Sequence, residues 1–424
     1  MKVLMFGWEF PPHISGGLGT ACYGLAKGLI KNDTKILFVV PKAYGDEDAS
    51  AARLINASDV ETIGTQVELE ELWGNVSFIQ IDSNLVPYVD EQEFNLCASI
   101  QKIEKHDNIF RHKYSFTGKY GSNLMEEVAR YALVAATIAK NNTFDVIHAH
   151  DWLTYAAGVM AKRVSGKPLV IHVHATEFDR TGESVNSNVF NIEKQGMEQA
   201  DTIITVSNLT RNIVINKYGI NPKKVVTVHN AVDFQGHEEL TVTRSVNDKV
   251  ITFLGRITYQ KGPEYFIEAA YKVAQRCDNV RFVMAGSGDM MKKMVRRVAK
   301  LGMGTRFHFT GFLKGDEVQQ MFALSDVYVM PSVSEPFGIS PLEAMRSNIP
   351  VIISKQSGVS EVLKYAVKVD FWDVDAMADL IYGLVKYPSL SRFFVRNGQD
   401  EVNSLKWENA AAKIRKIYNQ TTNL

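Results

Sequence analysis

The sequence has few cysteines and no excess of charge of either sign. Its three cysteines, Cys22, Cys97 and Cys277, lie far apart and form no Cys-x-x-Cys pair. This spacing argues against a disulfide framework and against a cysteine metal site, and it fits a reducing cytoplasm. The 47 basic residues balance the 47 acidic ones, so no overall field would attract nucleic acid or an anionic membrane. Nucleic acid is therefore not an expected partner.

Long hydrophobic runs are also missing. The first apolar run, Val3 to Phe6, is too short for the core of a signal peptide, and no run approaches the roughly 18 residues that a membrane span needs. The sequence therefore predicts no transmembrane segment. With 424 residues, of which 46% are hydrophobic, the chain is long for one core and comfortable for two domains of about 200 residues.

The stretch from Ser334 to Met345 combines a strand end, a tight turn and a helix start. An apolar run that ends at Pro331 precedes it and has the pattern of a short buried strand. Glu335 is therefore predicted just past the carboxyl end of a strand. A carboxylate in a turn bounded by proline and glycine has no evident capping or helix-face task, so Glu335 is a functional candidate.

The helix start in this stretch is predicted from three residues. Ser340 has the pattern of an N-cap, Pro341 that of the first helical position, and Glu343 that of a capping-box partner. The backbone N–H groups of Gly338, Ile339 and Ser340 are then expected to point outward. Such a terminus suits a phosphate. Plain capping is the common use of a Ser-x-x-Glu pair and remains the alternative for Glu343.

Glu335 and Glu343 stand eight positions apart, and the string around them resembles the Glu-x7-Glu motif of retaining glycosyltransferases with the GT-B fold, families four and five. The resemblance implies that Glu335 lies beside the donor sugar and that Glu343 binds the ribose hydroxyls. It also implies an α/β fold of two Rossmann-like domains that face a central cleft, with a C-terminal helix that crosses back to the first domain.

The domain boundaries follow from the sequence pattern and from that resemblance. Residues 1–236 are expected to form the acceptor-side domain, with an insertion at about 42–123, and residues 237–404 the domain that binds the nucleotide sugar. Residues 405–424 are expected to form the helix that packs back on the first domain. The linker is placed at Gln235–Asp248, where periodicity is lost and charge and threonine accumulate.

A glycine loop follows the first predicted strand, Lys2–Phe6, and precedes a helical stretch, Thr20–Lys31. Gly16, Gly17 and Gly19 allow the backbone to approach a ligand closely, although turn chemistry alone is the alternative. The loop resembles the Gly-Gly-Leu-Gly loop of glycogen and starch synthases, which implies that Gly16 and Gly17 contact the donor. Those enzymes usually carry a lysine shortly before the loop and an acidic residue after it, and this chain has neither.

Four histidines fall near the ends of two predicted strands. His148 and His150 alternate along the first, His172 and His174 along the second, and Asp151 follows the first pair. An His-x-His pair brings two imidazoles together, so a metal site and a metallohydrolase activity remain an alternative. Against it, no further carboxylate or cysteine cluster has the spacing of metal ligands.

These two segments resemble the His-Ala-His-Asp-Trp and Thr-Val-His segments of the synthases. The resemblance implies that His174 faces the donor hexose and that Asp151 lies near the reacting centre, whereas His148 and His172 pack in the core. It implies neither a metal nor a cofactor besides the sugar nucleotide.

A polar loop after His174 contains Glu177, Asp179 and Arg180. Loops off strand ends are the usual place for substrate contacts in an open α/β sheet, so these three residues are predicted to contact the acceptor, with a solvated turn as the alternative. Their mixed charge suits a hydroxyl-rich sugar and favours an α-glucan over a lipid.

Arg256 and Lys261 bracket a predicted strand-to-helix turn. Such surface cations are usually only solvated, but this string resembles the Arg-x4-Lys-Gly diphosphate clamp of the family. The resemblance further assigns Asn230 to the donor site, and Gly311 and Phe312 to the nucleobase.

Together these resemblances imply a retaining, metal-independent hexosyltransferase similar to glycogen synthase. Its expected donor is uridine- or adenosine-diphosphate glucose, and its expected acceptor is an α-1,4-glucan. The alternatives are a transferase with a lipid or small-sugar acceptor, a GT-B nucleotide-sugar epimerase, the metallohydrolase, and a sensor that binds the donor without turnover.

Overall fold

The computed structural model describes most of the chain, in six segments. They are residues 1–13, 17–48, 52–65, 109–121, 123–232 and 247–422. Gly16, most of the predicted linker and the middle of the predicted insertion lie outside the described residues.

The first half of the described chain contains nine strands and six helices. The strands are β1 (Lys2–Phe6), β2 (Lys35–Val40), β3 (Arg53–Asn56), β4 (Glu61–Thr65), β5 (Ile109–Lys113), β6 (Val146–His150), β7 (Leu169–Val173), β8 (Thr202–Thr205) and β9 (Val225–Thr227). The helices are α1 (Gly17–Lys31), α2 (Leu124–Asn141), α3 (Trp152–Ser165), α4 (Glu177–Thr181), α5 (Ser187–Gln199) and α6 (Asn208–Tyr218). Seven strands form one parallel sheet in the order β3-β2-β1-β6-β7-β8-β9, and β4 pairs with β5 as an antiparallel pair.

The second half contains six strands and seven helices. The strands are β10 (Lys249–Leu254), β11 (Val280–Ala285), β12 (Phe307–Gly311), β13 (Val327–Met330), β14 (Val351–Ser354) and β15 (Val367–Val369). The helices are α7 (Pro263–Ala274), α8 (Met291–Lys300), α9 (Asp316–Leu324), α10 (Ser340–Arg346), α11 (Val374–Lys386), α12 (Pro388–Ser404) and α13 (Trp407–Thr422). All six strands form a second parallel sheet in the order β12-β11-β10-β13-β14-β15.

Helices cover both faces of each sheet, which explains why the central strands β6, β7 and β13 are buried along their whole length. In the first sheet, residues of α2 and α3 pack on one face, and residues of α1 and α13 pack on the other. The two parallel α/β sheets predicted from the sequence are confirmed, and β1 begins and ends at the predicted residues.

The last helix, α13, crosses back to the first sheet as predicted. Its Trp407 lies directly on α1: a Cβ atom added to Gly24 would meet the indole at 2.2 Å, and one added to Gly28 would meet the backbone oxygen of Trp407 at 2.7 Å. The two glycines therefore allow the helices to pack closely. At the other end of α13, the hydroxyl of Tyr418 bonds to Nδ1 of His148 at 2.5 Å.

The segment predicted as an insertion differs from the expectation at its start. Strand β3 pairs in parallel with β2 and forms the edge of the main sheet, so this part of 42–123 belongs to the sheet. Periodicity missed it because β3 has only four residues and none of them is fully buried.

Candidate active site between the two sheets

Glu335 lies five residues after the end of β13, in the turn where the sequence placed it. Its side chain is 8% exposed. Two backbone hydrogen bonds fix Glu335 to the neighbouring loop. The N–H of Glu335 donates to the carbonyl of Gln356 at 2.9 Å, and the N–H of Gly358 donates to the carbonyl of Glu335 at 2.8 Å. The carboxylate accepts a hydrogen bond from Ser332 Oγ at 3.3 Å and forms an ion pair with Lys261.

Lys261 reaches Glu335 because a glycine lets its turn dock against the end of β13. The short 3₁₀ turn Tyr259–Lys261 ends at Gly262, whose φ is +64°. A Cβ atom at that position would lie 2.1 Å from the carbonyl oxygen of Pro331, so only glycine fits. The Arg-x4-Lys-Gly string thus brings a lysine beside the buried glutamate.

Arg256 stands at the other end of the same turn. Its side chain is exposed, and its guanidinium donates a hydrogen bond of 3.0 Å to the side-chain oxygen of Gln260. The two predicted clamp residues therefore border one turn, one of them paired with a carboxylate and the other open to solvent.

Helix α10 begins at Ser340, one residue earlier than an N-cap role for Ser340 requires. Ile339 is the N-cap residue, and no side chain caps this terminus. The predicted capping box is therefore wrong, because Ser340 already has helical geometry and Glu343 does not reach back to it. Burial raises the pKa of Glu343, and Arg346 offsets part of that rise.

Gly338 joins Glu335 to this helix. Its φ is +97°, and an added Cβ atom would approach Cγ of Glu335 at 3.2 Å and Cε of Met330 at 3.1 Å. Both the backbone conformation and the close contact require glycine at this position.

On the first sheet, Asp151 fixes the chain at the end of β7. Its φ is +60°, and its carboxylate accepts hydrogen bonds from the backbone N–H groups of His174 at 2.8 Å and Ala175 at 3.2 Å. Nε2 of His174 bonds to Nδ1 of His150 at 2.9 Å. Burial lowers the pKa of His174, which Asp151 partly opposes, so the ring is neutral near pH 7.

The residues predicted to contact the acceptor form an internal network instead. Asp179 is 1% exposed and, with Thr176, makes the capping box of α4. Glu177 is buried and accepts from Arg180 at 3.4 Å, and Arg180 also donates to Glu193 at 2.9 Å. The predicted polar loop folds as a capped helix whose charged groups turn inward, and the acceptor contact of these residues stays a prediction.

Glu193 and Tyr218, which anchor this network, were missed from the sequence. Glu193 accepts hydrogen bonds from Arg180, from the backbone N–H of Glu177 and from the hydroxyl of Tyr218. Burial raises the pKa of Glu193 to about 6, against the opposing effect of Arg180. No motif marks these residues, because they lie on α5 and at the end of α6 and meet α4 only in the folded chain.

The carboxyl ends of the two sheets face each other, and two groups of contacts join them. Ser334, beside Glu335, donates a hydrogen bond of 2.6 Å to Asp179. The carboxylate of Glu361 accepts from the backbone N–H groups of Asn208 and Leu209, at 2.9 and 2.8 Å, and bonds to His229 at 2.8 Å. Burial alone would raise the pKa of Glu361, but these partners outweigh it and lower the pKa.

The remaining predicted donor residues lie at strand ends or helix starts. Asn230 is buried shortly after β9, and Gly17 is the exposed first residue of α1. Gly311 ends β12 with a φ of +75°, and the ring of Phe312 after it is 51% exposed. Of the predicted donor residues, the structure brings Lys261, Glu335 and Gly338 into direct contact.

Ring nitrogens of the histidine cluster come close enough to raise the question of a metal. In one group, each of three histidines, His148, His150 and His172, has a ring nitrogen within 4.8 Å of the other two. In a second group, Sγ of Cys22 and one ring nitrogen each of His150 and His174 lie equally close. The first three side chains are at most 1% exposed, so an ion there would have no open position for a hydrolytic water. The rings of His148 and His172 are stacked within 7° of parallel, so their in-plane lone pairs do not converge. The arrangement does not favour a metallohydrolase.

Comparison with known proteins gives matches over the whole chain. A family model described as the starch synthase catalytic domain matches residues 2–227, and one described as glycosyl transferases group 1 matches residues 239–401. An uncharacterized glycosyltransferase of Methanocaldococcus jannaschii is 28% identical over 437 residues, which covers 99% of this chain and 98% of the relative. A glycogen synthase of Mycobacterium tuberculosis is 22% identical over 428 residues, with 99% and 94% covered.

Two solved structures share the fold over almost the full length. Sucrose-phosphate synthase from Thermosynechococcus elongatus superposes with a TM-score of 0.71 at 16% identity, covering 99% of this chain and 98% of the other. The catalytic domain of starch synthase IV from Arabidopsis thaliana, bound to ADP and acarbose, gives 0.68 at 14% identity, with 100% and 99% covered. None of the helices described in the structure has the length and apolar character to cross a membrane.

Proposed function

The chain belongs to the starch synthase catalytic-domain family of GT-B glycosyltransferases, and we propose that it is a retaining enzyme that transfers glucose from a nucleoside diphosphate sugar to an α-1,4-glucan. One observation carries this proposal: Ser334, beside the Lys261–Glu335 pair at the end of one sheet, donates a hydrogen bond of 2.6 Å to Asp179, which follows His174 at the end of the other. A cation for the leaving group and polar groups for the hexose thus converge from two domains.

On the donor side, Lys261 and Arg256 bind the diphosphate and neutralise the charge that grows on it as the glycosidic bond breaks. Groups aimed at such a charge contribute about 10²- to 10³-fold each in other enzymes. Lys261 is paired with Glu335 in the structure. A bound diphosphate takes over Lys261, which frees the Glu335 carboxylate for the hydroxyls of the hexose.

The nucleoside extends from that point across the edge of the second sheet. Three strand spacings separate the end of β13 from the end of β12, about 14 Å at about 4.8 Å each. Glu343 then receives the ribose hydroxyls, and Gly311 and Phe312 receive the base. The Glu343 carboxylate makes no capping hydrogen bond to the start of α10, so it can accept hydrogen bonds from the ribose. Asn230 and Gly17 approach the donor from the first domain, and Ile339 and Ser340 border its phosphates.

At the reacting carbon, His174 and Glu335 hold the hexose while positive charge develops on its ring. Asp151 acts through the backbone of His174 and Ala175, which it fixes by one hydrogen bond to each N–H. The glucosyl C–O bond to the diphosphate breaks, the acceptor hydroxyl gives its proton to the departing diphosphate, and the acceptor oxygen bonds to the same face of the sugar, so the configuration is kept. Two protein cations serve the leaving group, so the reaction proceeds without a metal.

The acceptor assignment rests on the relatives, since the loop first predicted to bind it is internal. A full-length relative is a glycogen synthase, and a structural neighbour was solved with acarbose, an oligosaccharide analogue. Both favour a soluble α-glucan.

The test supplies labelled uridine- or adenosine-diphosphate glucose to the purified chain, with maltoheptaose and a lipid extract offered side by side. We expect label in longer malto-oligosaccharides, with the α configuration retained and with undiminished transfer in a metal chelator. Label only in the lipid phase or in a small disaccharide would overturn the glucan assignment and leave the transferase class standing. Release of free nucleotide together with an epimerised sugar, and no transfer, would favour the epimerase.

A further inference from the structure

His150 is a fully buried histidine whose one polar partner within the described residues is His174. It is the last residue of β6, with 0% exposure, and its Nδ1 lies 2.9 Å from Nε2 of His174. The other nitrogen, Nε2, is buried and has no hydrogen-bond partner among the described residues. The pair therefore shares a single hydrogen bond.

Both rings are neutral, so only one proton can lie between them. Burial lowers the pKa of His150 and of His174; His148 and His174 lower that of His150 further, and Asp151 opposes part of the shift at His174. A neutral imidazole has one N–H donor and one acceptor nitrogen. Either His150 donates from Nδ1, or His174 donates from Nε2.

The surroundings of His150 decide between these two arrangements. If His174 were the donor, His150 would carry its proton on Nε2, where no acceptor is available, and an orphaned buried N–H is rarer in folded proteins than an underused acceptor. If His150 donates from Nδ1, every N–H of the pair has a partner or reaches the cleft. The neighbouring rings of His148 and His172, centred 4.2 and 5.3 Å away and tilted by 34° and 32°, pack against His150 without bonding to it.

We propose that His150 is a positioning residue of the transferase: its Nδ1–H donates to Nε2 of His174 and holds that ring as the tautomer with its proton on Nδ1. His174 then offers the donor hexose a hydrogen-bond donor. It cannot act as a general base, because its one acceptor nitrogen is occupied. Asp151 fixes the backbone of His174 and the adjacent His150 fixes its ring. The inference rests on the proposed function for the role of His174 toward the hexose.

The tautomer can be measured without any activity. The full-length chain is labelled with ¹⁵N-histidine, and the His174 signals are assigned by their loss in His174→Gln. We expect a protonated Nδ1 and an unprotonated Nε2 on His174. The opposite pattern would overturn the inference even if glucosyl transfer is found, whereas the expected pattern without any transfer would reject the proposed function alone.

The positioning role is tested with a rescue variant and a matched control. His150→Leu removes the donor, and we expect kcat for transfer to fall about 10- to 100-fold with the donor KM unchanged, because the ring of His174 is released while the nucleotide contacts remain. His150→Asn places an amide N–H near the position of Nδ1 and should restore most of the loss. His148→Asn makes the same change two residues away and should retain kcat.

A His150→Leu enzyme that folds and turns over within about twofold of the parent would contradict the role, as would an Asn variant no better than the Leu variant. If His150→Leu does not fold, the comparison of His150→Asn with His148→Asn and the tautomer of the parent decide the matter.

Discussion

Asp179 accepts a hydrogen bond of 2.6 Å from Ser334, so a buried carboxylate of the first sheet is joined to the residue beside Glu335 on the second. The same carboxylate caps α4 through Thr176 at 2.7 Å. One aspartate thus links the start of a helix after β7 to the turn that holds the proposed donor site. The positions of His174 and Glu335 are coupled through this short path.

The first prediction concerns the diphosphate clamp. Lys261→Ala should lower kcat/KM for transfer by about 10²-fold or more with the fold intact, because the developing charge loses its partner. Lys293→Ala, which removes a surface Lys–Glu pair with Glu264, is the control and should leave turnover unchanged. Near-normal turnover in Lys261→Ala would reject the assignment.

The second prediction separates ribose binding from a structural role at Glu343. Glu343→Gln keeps the size of the side chain but removes the carboxylate, so the donor KM should rise. Its melting temperature should not fall, because no capping bond is lost and a half-buried charge is removed. A lower melting temperature with an unchanged KM would show that the residue serves the fold.

The third prediction concerns the contacts that join the two sheets. Ser334→Ala combined with Glu361→Ala removes the bonds to Asp179, to the start of α6 and to His229. We expect a larger radius of gyration by small-angle scattering without donor, and recovery of the parental value at saturating donor, since donor groups from both sheets bind one ligand. The exposed substitution Ser389→Ala serves as the control. Scattering profiles that coincide with and without the substitutions would count against these contacts as the closure elements.

The fourth prediction follows from the buried histidines. Burial lowers the pKa of His148, His150 and His172, so below about pH 6.5 the unfolded chain binds protons that the folded chain does not. The unfolding free energy should therefore be independent of these groups above that pH and decrease on acidification, by about 1.4 kcal/mol per pH unit for each histidine.

Denaturant titrations across this range measure the effect. His172→Leu should reduce the slope of the unfolding free energy against pH by the contribution of one histidine, about 1.4 kcal/mol per pH unit. His308→Gln, on the exposed side of β12, is the control and should leave the slope unchanged. Equal slopes for the parent and His172→Leu would contradict a neutral buried His172.

Much of the site can be predicted, because the patterns that mark its residues span only a few positions of the sequence. An apolar run that ends in proline places Glu335 after a strand, and Arg256 and Lys261 bracket one turn because a glycine follows them. The alternation of His148 and His150 puts both rings on one face of β6. Strand periodicity and turn chemistry act over a few residues, so the sequence alone determined the two parallel α/β sheets and the set of groups at their carboxyl ends.

The tertiary structure decided what those groups touch. The local sequence of Glu177, Asp179 and Arg180 has the pattern of a polar loop. In the folded chain these side chains point inward, because they bond within a network that includes Glu193, Tyr218 and Ser334. In the same way, Trp407 meets Gly24 only when the last helix returns to the first. His150 bonds to His174 because β6 and β7 are adjacent in the sheet. Partners and burial arise from long-range packing, which no local pattern of residue types records.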